Sequence, residues 1–369
     1  MFLLAAVPVL SPSAQAAKSA PVVVKSTAAA RAELGREAVA SLSAAAADPD
    51  PEVRSAAALA WGALGNRAAA PLLKKGLTDA NPDARIAAAA ALYKLGEVDG
   101  LTNLIDETKT AGGAPPTTPA QELRRMARDA ARARAVLKLG EVAGETARAA
   151  IVAAQKDPAG EVRDAAAIAL ARLGDAGASA PFLDAAKDPD ETVRASAARS
   201  LGLTGRDGED VLVKLASSDA SLSVRAEACA ALGGFNGAAS GLALAAALKD
   251  KSGRVRLAAA RALARRPDPA STAALKAVLE KAPPAELALV AQAGLAERGE
   301  DVEVSLADLT LGQGDPELKS LAVRVLAAAK RPEALDLLAK AMRGDASMRV
   351  RVEAAAAMVS RLRRVGAPQ

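Results

Sequence analysis

The sequence predicts an all-α protein, an α-solenoid of about ten stacked helical hairpins, and three observations carry that reading. Apolar residues make up 51% of the chain but aromatics only 1%, so alanine supplies most of the apolar fraction. Alanine is the best helix former, and the β-branched and aromatic residues that strands favour are scarce. One short signature then recurs at a fixed period. Capping residues, finally, punctuate each copy at matching places.

The signature is an aspartate, five residues, and an arginine that opens an alanine-rich stretch. It stands as Asp48 with Arg54, Asp79 with Arg85, Asp157 with Arg163, Asp188 with Arg194, Asp219 with Arg225, Asp250 with Arg256 and Asp345 with Arg351. The arginines at 163, 194, 225 and 256 follow one another at intervals of 31 residues, as do those at 54 and 85. Weaker copies fall at Ala285–Ala288 and Pro316–Lys319, and one of open register lies near Met126–Leu139. A self-similar period of this length marks an array of supersecondary units, each too small to bury its own apolar face.

Within a copy each position has a physical reason. Asp50, Asn81, Asp190, Ser221, Ser252 and Ser347 are N-cap types, four residues before the arginine, with Ala159 the exception. Pro51 and Pro82 sit at the first helical position, where a missing N–H does no harm. Gly65, Gly96, Gly174 and Gly205 come eleven residues after the arginine, where a left-handed residue ends a helix. The rest of the period holds a shorter first helix, as in Ala70–Leu77 and Ala180–Lys187.

These Asp/Val-Arg pairs and the following helix, as in Val162-Arg-Asp-Ala-Ala-Ala-Ile-Ala-Leu170, resemble the HEAT-repeat superfamily in its short, phycobilisome-lyase-type form. The resemblance implies a right-handed solenoid in which Asp48, Asp79, Asp157, Asp188, Asp219, Asp250 and Asp345 join their arginines in an inter-repeat ladder. It implies binding and scaffolding rather than one activity. Bilin lyase activity, known in some relatives, has no specific support in these residues.

At the N-terminus, Phe2 to Leu10 is a short apolar run followed by Ala14-Gln15-Ala16. This reads as a signal peptide over residues 1–16, with a disordered leader over 17–27 and the repeats over 28–366. The run is too short to span a membrane. Its first cation is Lys18, so a basic n-region would lie upstream of Met1. The expectation is export to the periplasm or outside the cell.

Composition excludes several function classes. The chain has no histidine and one cysteine, Cys229, which rules out an intramolecular disulfide, a Cys/His zinc site and a histidine-based triad. Cys229 occupies a position where other copies have alanine, and is expected to be buried and inert. Gly112-Gly113 and Gly233-Gly234 lack the partners of a phosphate loop. No catalytic, metal or cofactor residue is expected, and the chain reads as a non-enzyme. The net charge of +5 is mild and aromatics are few, which disfavours nucleic acid.

The period breaks over residues 106–120, a long polar loop rich in Gly and Pro. After it, Arg124, Arg128 and Arg132 share a helix face. A second basic stretch runs from Lys251 to Arg266 with no acid between. Either suits an acidic protein, a polyanionic glycan or lipid headgroups. Arg361, Arg363 and Arg364 read as an end cap. The inner curve of a solenoid is its default binding surface, which nominates Leu59, Ile86, Tyr93, Asp164, Ile168, Arg199, Leu257 and Arg261. The leading expectation is a non-catalytic protein-interaction scaffold outside the cytoplasm. An exported accessory or maturation factor and a nucleic-acid-binding repeat protein are the alternatives.

Overall fold

In a computed structural model, residues 27–110 and 115–366 are described. The expected signal peptide, all of the leader but Thr27, and part of the long loop therefore lie outside the described residues. Ten first helices alternate with ten second helices, and there is no strand among the described residues. In chain order the pairs are α1 (Ala28–Ala45) and α2 (Pro51–Leu64), α3 (Ala70–Gly76) and α4 (Pro82–Lys94), α5 (Val98–Glu107) and α6 (Pro119–Val142), α7 (Arg148–Ala154) and α8 (Gly160–Arg172), α9 (Ala180–Ala185) and α10 (Glu191–Thr204). They continue as α11 (Glu209–Ser218) and α12 (Leu222–Leu232), α13 (Ala238–Ala247) and α14 (Gly253–Arg265), α15 (Pro269–Leu279) and α16 (Ala285–Glu297), α17 (Ser305–Gln313) and α18 (Pro316–Ala328), α19 (Glu333–Gly344) and α20 (Met348–Gly366). The protein is an α-solenoid.

The caps explain where the second helices begin and end. Asp50, Asn81, Asp190 and Ser221 each accept a hydrogen bond from a first-turn N–H, whereas Ser252 and Ala159 make no such bond. Gly65 and Gly205 close α2 and α10 with φ of 62° and 67°, a region that costs an L side chain strain. Helices enter both ends of the segment read as a long loop: α5 runs to Glu107, and Thr118 caps α6 by accepting from Gln121 N–H at 3.2 Å.

Consecutive second helices all pack on one another, whereas consecutive first helices touch closely at few steps. The second helices therefore form the inner layer and the first helices splay outward. The joints are uneven. A Cβ on Gly62 would come within 2.9 Å of Ala91 Cα, and one on Gly202 within 2.7 Å of Ala231 Cα, so glycine lets α2 approach α4 and α10 approach α12. Fully buried leucines such as Leu42, Leu92, Leu139, Leu201 and Leu263 fill the space between layers, each contributing roughly 1.5–3 kcal/mol.

The array does not end: it closes. Helix α20 packs against α18 and also against α1 and α2. Arg343 at the end of α19 donates to Glu37 of α1 at 2.7 and 2.6 Å, across 306 residues of sequence. Arg363 donates to the Leu64 carbonyl at the end of α2. The expectation of an end cap at Arg361, Arg363 and Arg364 is thus corrected. Arg363 stitches the last hairpin to the first, and Arg361 and Arg364 donate to carbonyls at the end of α18 and just beyond it. The core follows the closure: Ala38 and Leu42 of α1 belong to one apolar cluster with Ala355 and Met358 of α20.

Candidate protein interface

Most rungs of the ring are built from one guanidinium each. Arg54, Arg85, Arg163, Arg194, Arg225 and Arg256 all donate through Nη1 to two carbonyls of the loop just before their own helix, at 2.7–3.2 Å. That leaves Nε and Nη2 aimed at the next hairpin. Arg54 meets Asp79 at 2.6 and 2.7 Å, Arg194 meets Asp219 at 2.9 and 3.0 Å, and Arg225 meets Asp250 at 2.8 and 3.1 Å. Each of these aspartates also accepts the backbone N–H two residues on, which fixes its loop. Bidentate, charge-assisted bonding of this kind sets geometry as well as energy. Their arginines hold Asp79, Asp219 and Asp250 below the usual carboxylate range.

Other rungs vary the theme. Arg85 reaches Glu107, since no aspartate stands at the matching place. Lys319 takes the arginine's place and pairs with Asp345 at 2.9 Å. Arg163 and Arg256 reach no carboxylate among the described residues, and Asp48 and Asp188 receive no arginine side chain there. Arg351 donates to the Met342 carbonyl and the Met348 sulfur instead of a carboxylate.

Arg132 was nominated as a surface contact, and the structure corrects this. It is buried, donates to Asp157 through Nε and Nη2 at 3.1 and 2.9 Å, and forms an ion pair with Asp129 at 2.9 Å. It is the rung of the hairpin whose register the sequence left open. The Arg-to-Asp separation of 25, the same as from Arg54 to Asp79, is the signal that would have found it.

A second set of arginines has a role that the sequence reading did not assign. Arg206, Arg265, Arg298 and Arg361 donate to carbonyls at the end of the preceding second helix. Carbonyls in the last turn of a helix are short of intrahelical donors, and cations there are favoured by the helix dipole.

On the inner face the open ridge carries charge of both signs. Asp83 pairs with Arg134, Arg199 and Arg254 with Glu227, Arg261 with Glu286, and Arg324 with Glu297, each across neighbouring second helices. The nominated Arg199 and Arg261 are therefore exposed but engaged. Leu59 is open, Asp164 is exposed, and Tyr93 and Leu257 are half-buried. Ile86 and Ile168 are buried, which corrects their nomination: neighbouring helices cover both flanks of a second helix, so a shift of one ridge takes a residue from solvent to core.

Helix α6 departs from this pattern. The regular second helices begin three residues before their rung arginine, as α2 does at Pro51, but α6 begins at Pro119, thirteen before Arg132. The ten extra residues project about 15 Å past the common edge. On this arm Leu123 and Met126 lie 66% and 54% exposed, one turn apart. Arg124 and Arg128 are exposed beside them with no carboxylate partner among the described residues, while Arg125 is engaged by Glu122 and Asp129.

Among the described residues no cluster of acidic residues and cysteine could hold a metal ion, and no helix is long and apolar enough to cross a membrane. Cys229 is fully buried and its thiol is pushed up to about 12 by burial.

Comparison with known proteins gives the following. The HEAT-repeat family profile matches residues 9–111, 118–202 and 209–296, beginning inside the segment read as a signal peptide and ending before α17. No curated protein sequence matches the chain. Among solved structures, human deoxyhypusine hydroxylase in complex with glycerol is 19% identical, covering 73% of this chain and 98% of its own, with a TM-score of 0.32. The complex of the two subunits of phycocyanin lyase from Nostoc is 20% identical over 73% of this chain and 92% of that one, with a TM-score of 0.31. Importin beta is 15% identical over 83% of this chain and 48% of that one, with a TM-score of 0.33.

Proposed function

Because the chain belongs to the HEAT-repeat family, we propose that it is a ring-shaped scaffold that acts by binding an acidic protein partner rather than by turnover, and that it does so outside the cytoplasm. The observation that carries this reading is the projecting arm of α6. Exposed Leu123 and Met126 form an apolar step beside two unpaired cations, whereas the charges of the inner ridge are largely neutralised in cis. An apolar anchor flanked by unpaired arginines suits a partner segment that carries carboxylates around one apolar side chain. Arg124 and Arg128 steer and orient such a segment, and Leu123 and Met126 supply its burial. Export rests on the apolar run and the Ala14-Gln15-Ala16 pattern.

The test is affinity purification with cross-linking from envelope and culture fluid, comparing wild type with Leu123→Asp/Met126→Asp. Both residues are exposed, so the variant is expected to melt as wild type does. The expected result is a partner cross-linked to residues 119–128 that the variant loses at least tenfold. The same partner captured equally by both chains ends the arm's role. Terminal mass analysis showing a chain that begins at Ala17 is the expected outcome for export; an uncleaved chain in the cytoplasmic fraction refutes it.

A further inference from the structure

The rung at Arg256 is vacant on its receiving side, and what stands there is a pocket. Nη1 of Arg256 donates to the Asp250 and Lys251 carbonyls at 2.8 and 3.1 Å, as in the filled rungs, so the guanidinium is held in the same pose. Twenty-five residues on, where Asp79, Asp219 and Asp250 serve Arg54, Arg194 and Arg225, stands Lys281. The loop there is also reshaped. Ala282 has φ of 45°, and Pro283 and Pro284 follow it. A cavity of about 410 Å³ opens between α13, α14, α15 and α16. Lys249, Arg256 and Lys281 line it with no carboxylate partner among the described residues, and Leu248, Val278 and Leu287 give it apolar walls.

We propose that this cavity binds a small organic carboxylate with an apolar body, whose carboxylate takes the fork of Arg256 that an aspartate takes elsewhere. The argument is internal. The protein displays the same guanidinium gripping a carboxylate at Arg54, Arg194 and Arg225, at 2.6–3.1 Å. At Arg256 the donor is kept, the acceptor is replaced by a cation, and the space is apolar. Two lysines add attraction for an anion and leave it uncompensated without one. The volume falls in the range of small-molecule sites. The site lies on hairpins distant in sequence from α6 and does not depend on the role of that arm.

Calorimetric titration of the intact protein with octanoate, and with octanol as the uncharged match, tests this. Octanoate should bind saturably at one site, at least tenfold tighter than octanol. Arg256→Gln, with its circular dichroism unchanged, should lose that preference. Lys281→Asp should abolish octanoate binding with a thermal midpoint at or above wild type, because the new carboxylate fills the rung in cis. Equal binding of octanoate and octanol, or octanoate binding that survives in Arg256→Gln or Lys281→Asp, overturns the proposal.

Discussion

Replacing Arg132 by alanine is the sharpest test of how the ring is held. Its side chain is 10% exposed and that of Asp157 only 4% exposed. Two charge-assisted hydrogen bonds to Asp157 and an ion pair with Asp129 disappear. Asp129 keeps Arg125, but Asp157 keeps only the Ala159 N–H at 2.9 Å. Breaking a buried pair on one side typically costs 3–5 kcal/mol, mostly from the charge left behind, and the retained N–H bond places this case near 3–4 kcal/mol. Unfolding entropy near 2.1 cal/mol/K per residue gives about 0.7 kcal/mol/K for a cooperative unit of this size, so the midpoint should fall by about 4–6 °C. The assay is thermal melting followed by helical circular dichroism, with native helix content expected to match wild type. In the Arg132→Ala/Asp157→Asn double variant no naked carboxylate remains, so part of the loss should return. A midpoint within about 1 °C of wild type, or a double variant no more stable than the single, refutes the argument.

The other expectations concern closure, chemistry and pH. Arg194→Ala should lower the thermal midpoint while leaving helix content high, and a midpoint equal to wild type would remove the rung role from that site. Cysteines in place of Glu37 and Arg343, in a chain whose Cys229 is serine, should join intramolecularly through a short bifunctional maleimide to give a circular product of altered gel mobility. An open array would yield none. With its thiol pushed up to about 12, Cys229 should resist alkylation of the folded protein at pH 8 and react at full stoichiometry once denatured; rapid native labelling would contradict its burial. Asp79, Asp219 and Asp250 are stronger acids when folded than their ordinary value of 3.8, so their contribution is complete above that value and lost as pH falls through the lower folded values. The midpoint should therefore fall steeply below about pH 4, and a flat profile from pH 5 to 2 would exclude the rungs as its source.

Much of the fold is legible because the copies draw on the same local physics: a rung arginine in most, with a cap, a proline or a left-handed glycine in several. The Asp-to-Arg offset of six was visible, but it joins an arginine to a backbone carbonyl of its own loop. The side-chain pairing at Arg54, Arg132, Arg194 and Arg225 runs to the aspartate 25 residues later, although Arg163 stands 25 before Asp188 without pairing to it. Counting forward by 25 would have placed Arg132 in a rung and exposed Lys281 as an intruder. Closure was not legible. It is the sum of small rotations over ten hairpins, and Glu37, Arg343 and Arg363 look like ordinary surface charges until α1 meets α20. Ile86 and Ile168 failed as surface nominations for a related reason. Their fate depends on how far each neighbour leans in, which no single hairpin's sequence encodes.

Because α1 and α20 are neighbours, the described chain has no terminal hairpin in the sense that an open array has two. Every described unit is flanked on both sides, so opening begins at a weak joint rather than at an end, and two interfaces must break before a hairpin is freed. The polypeptide could then be cut in any outer turn, with the start of α1 linked to the end of α20, without altering which of the described helices touch. A set of such circular permutants, all folding to one hydrodynamic radius, would describe a ring of hairpins in which the order of the described helices along the chain is secondary to their neighbours.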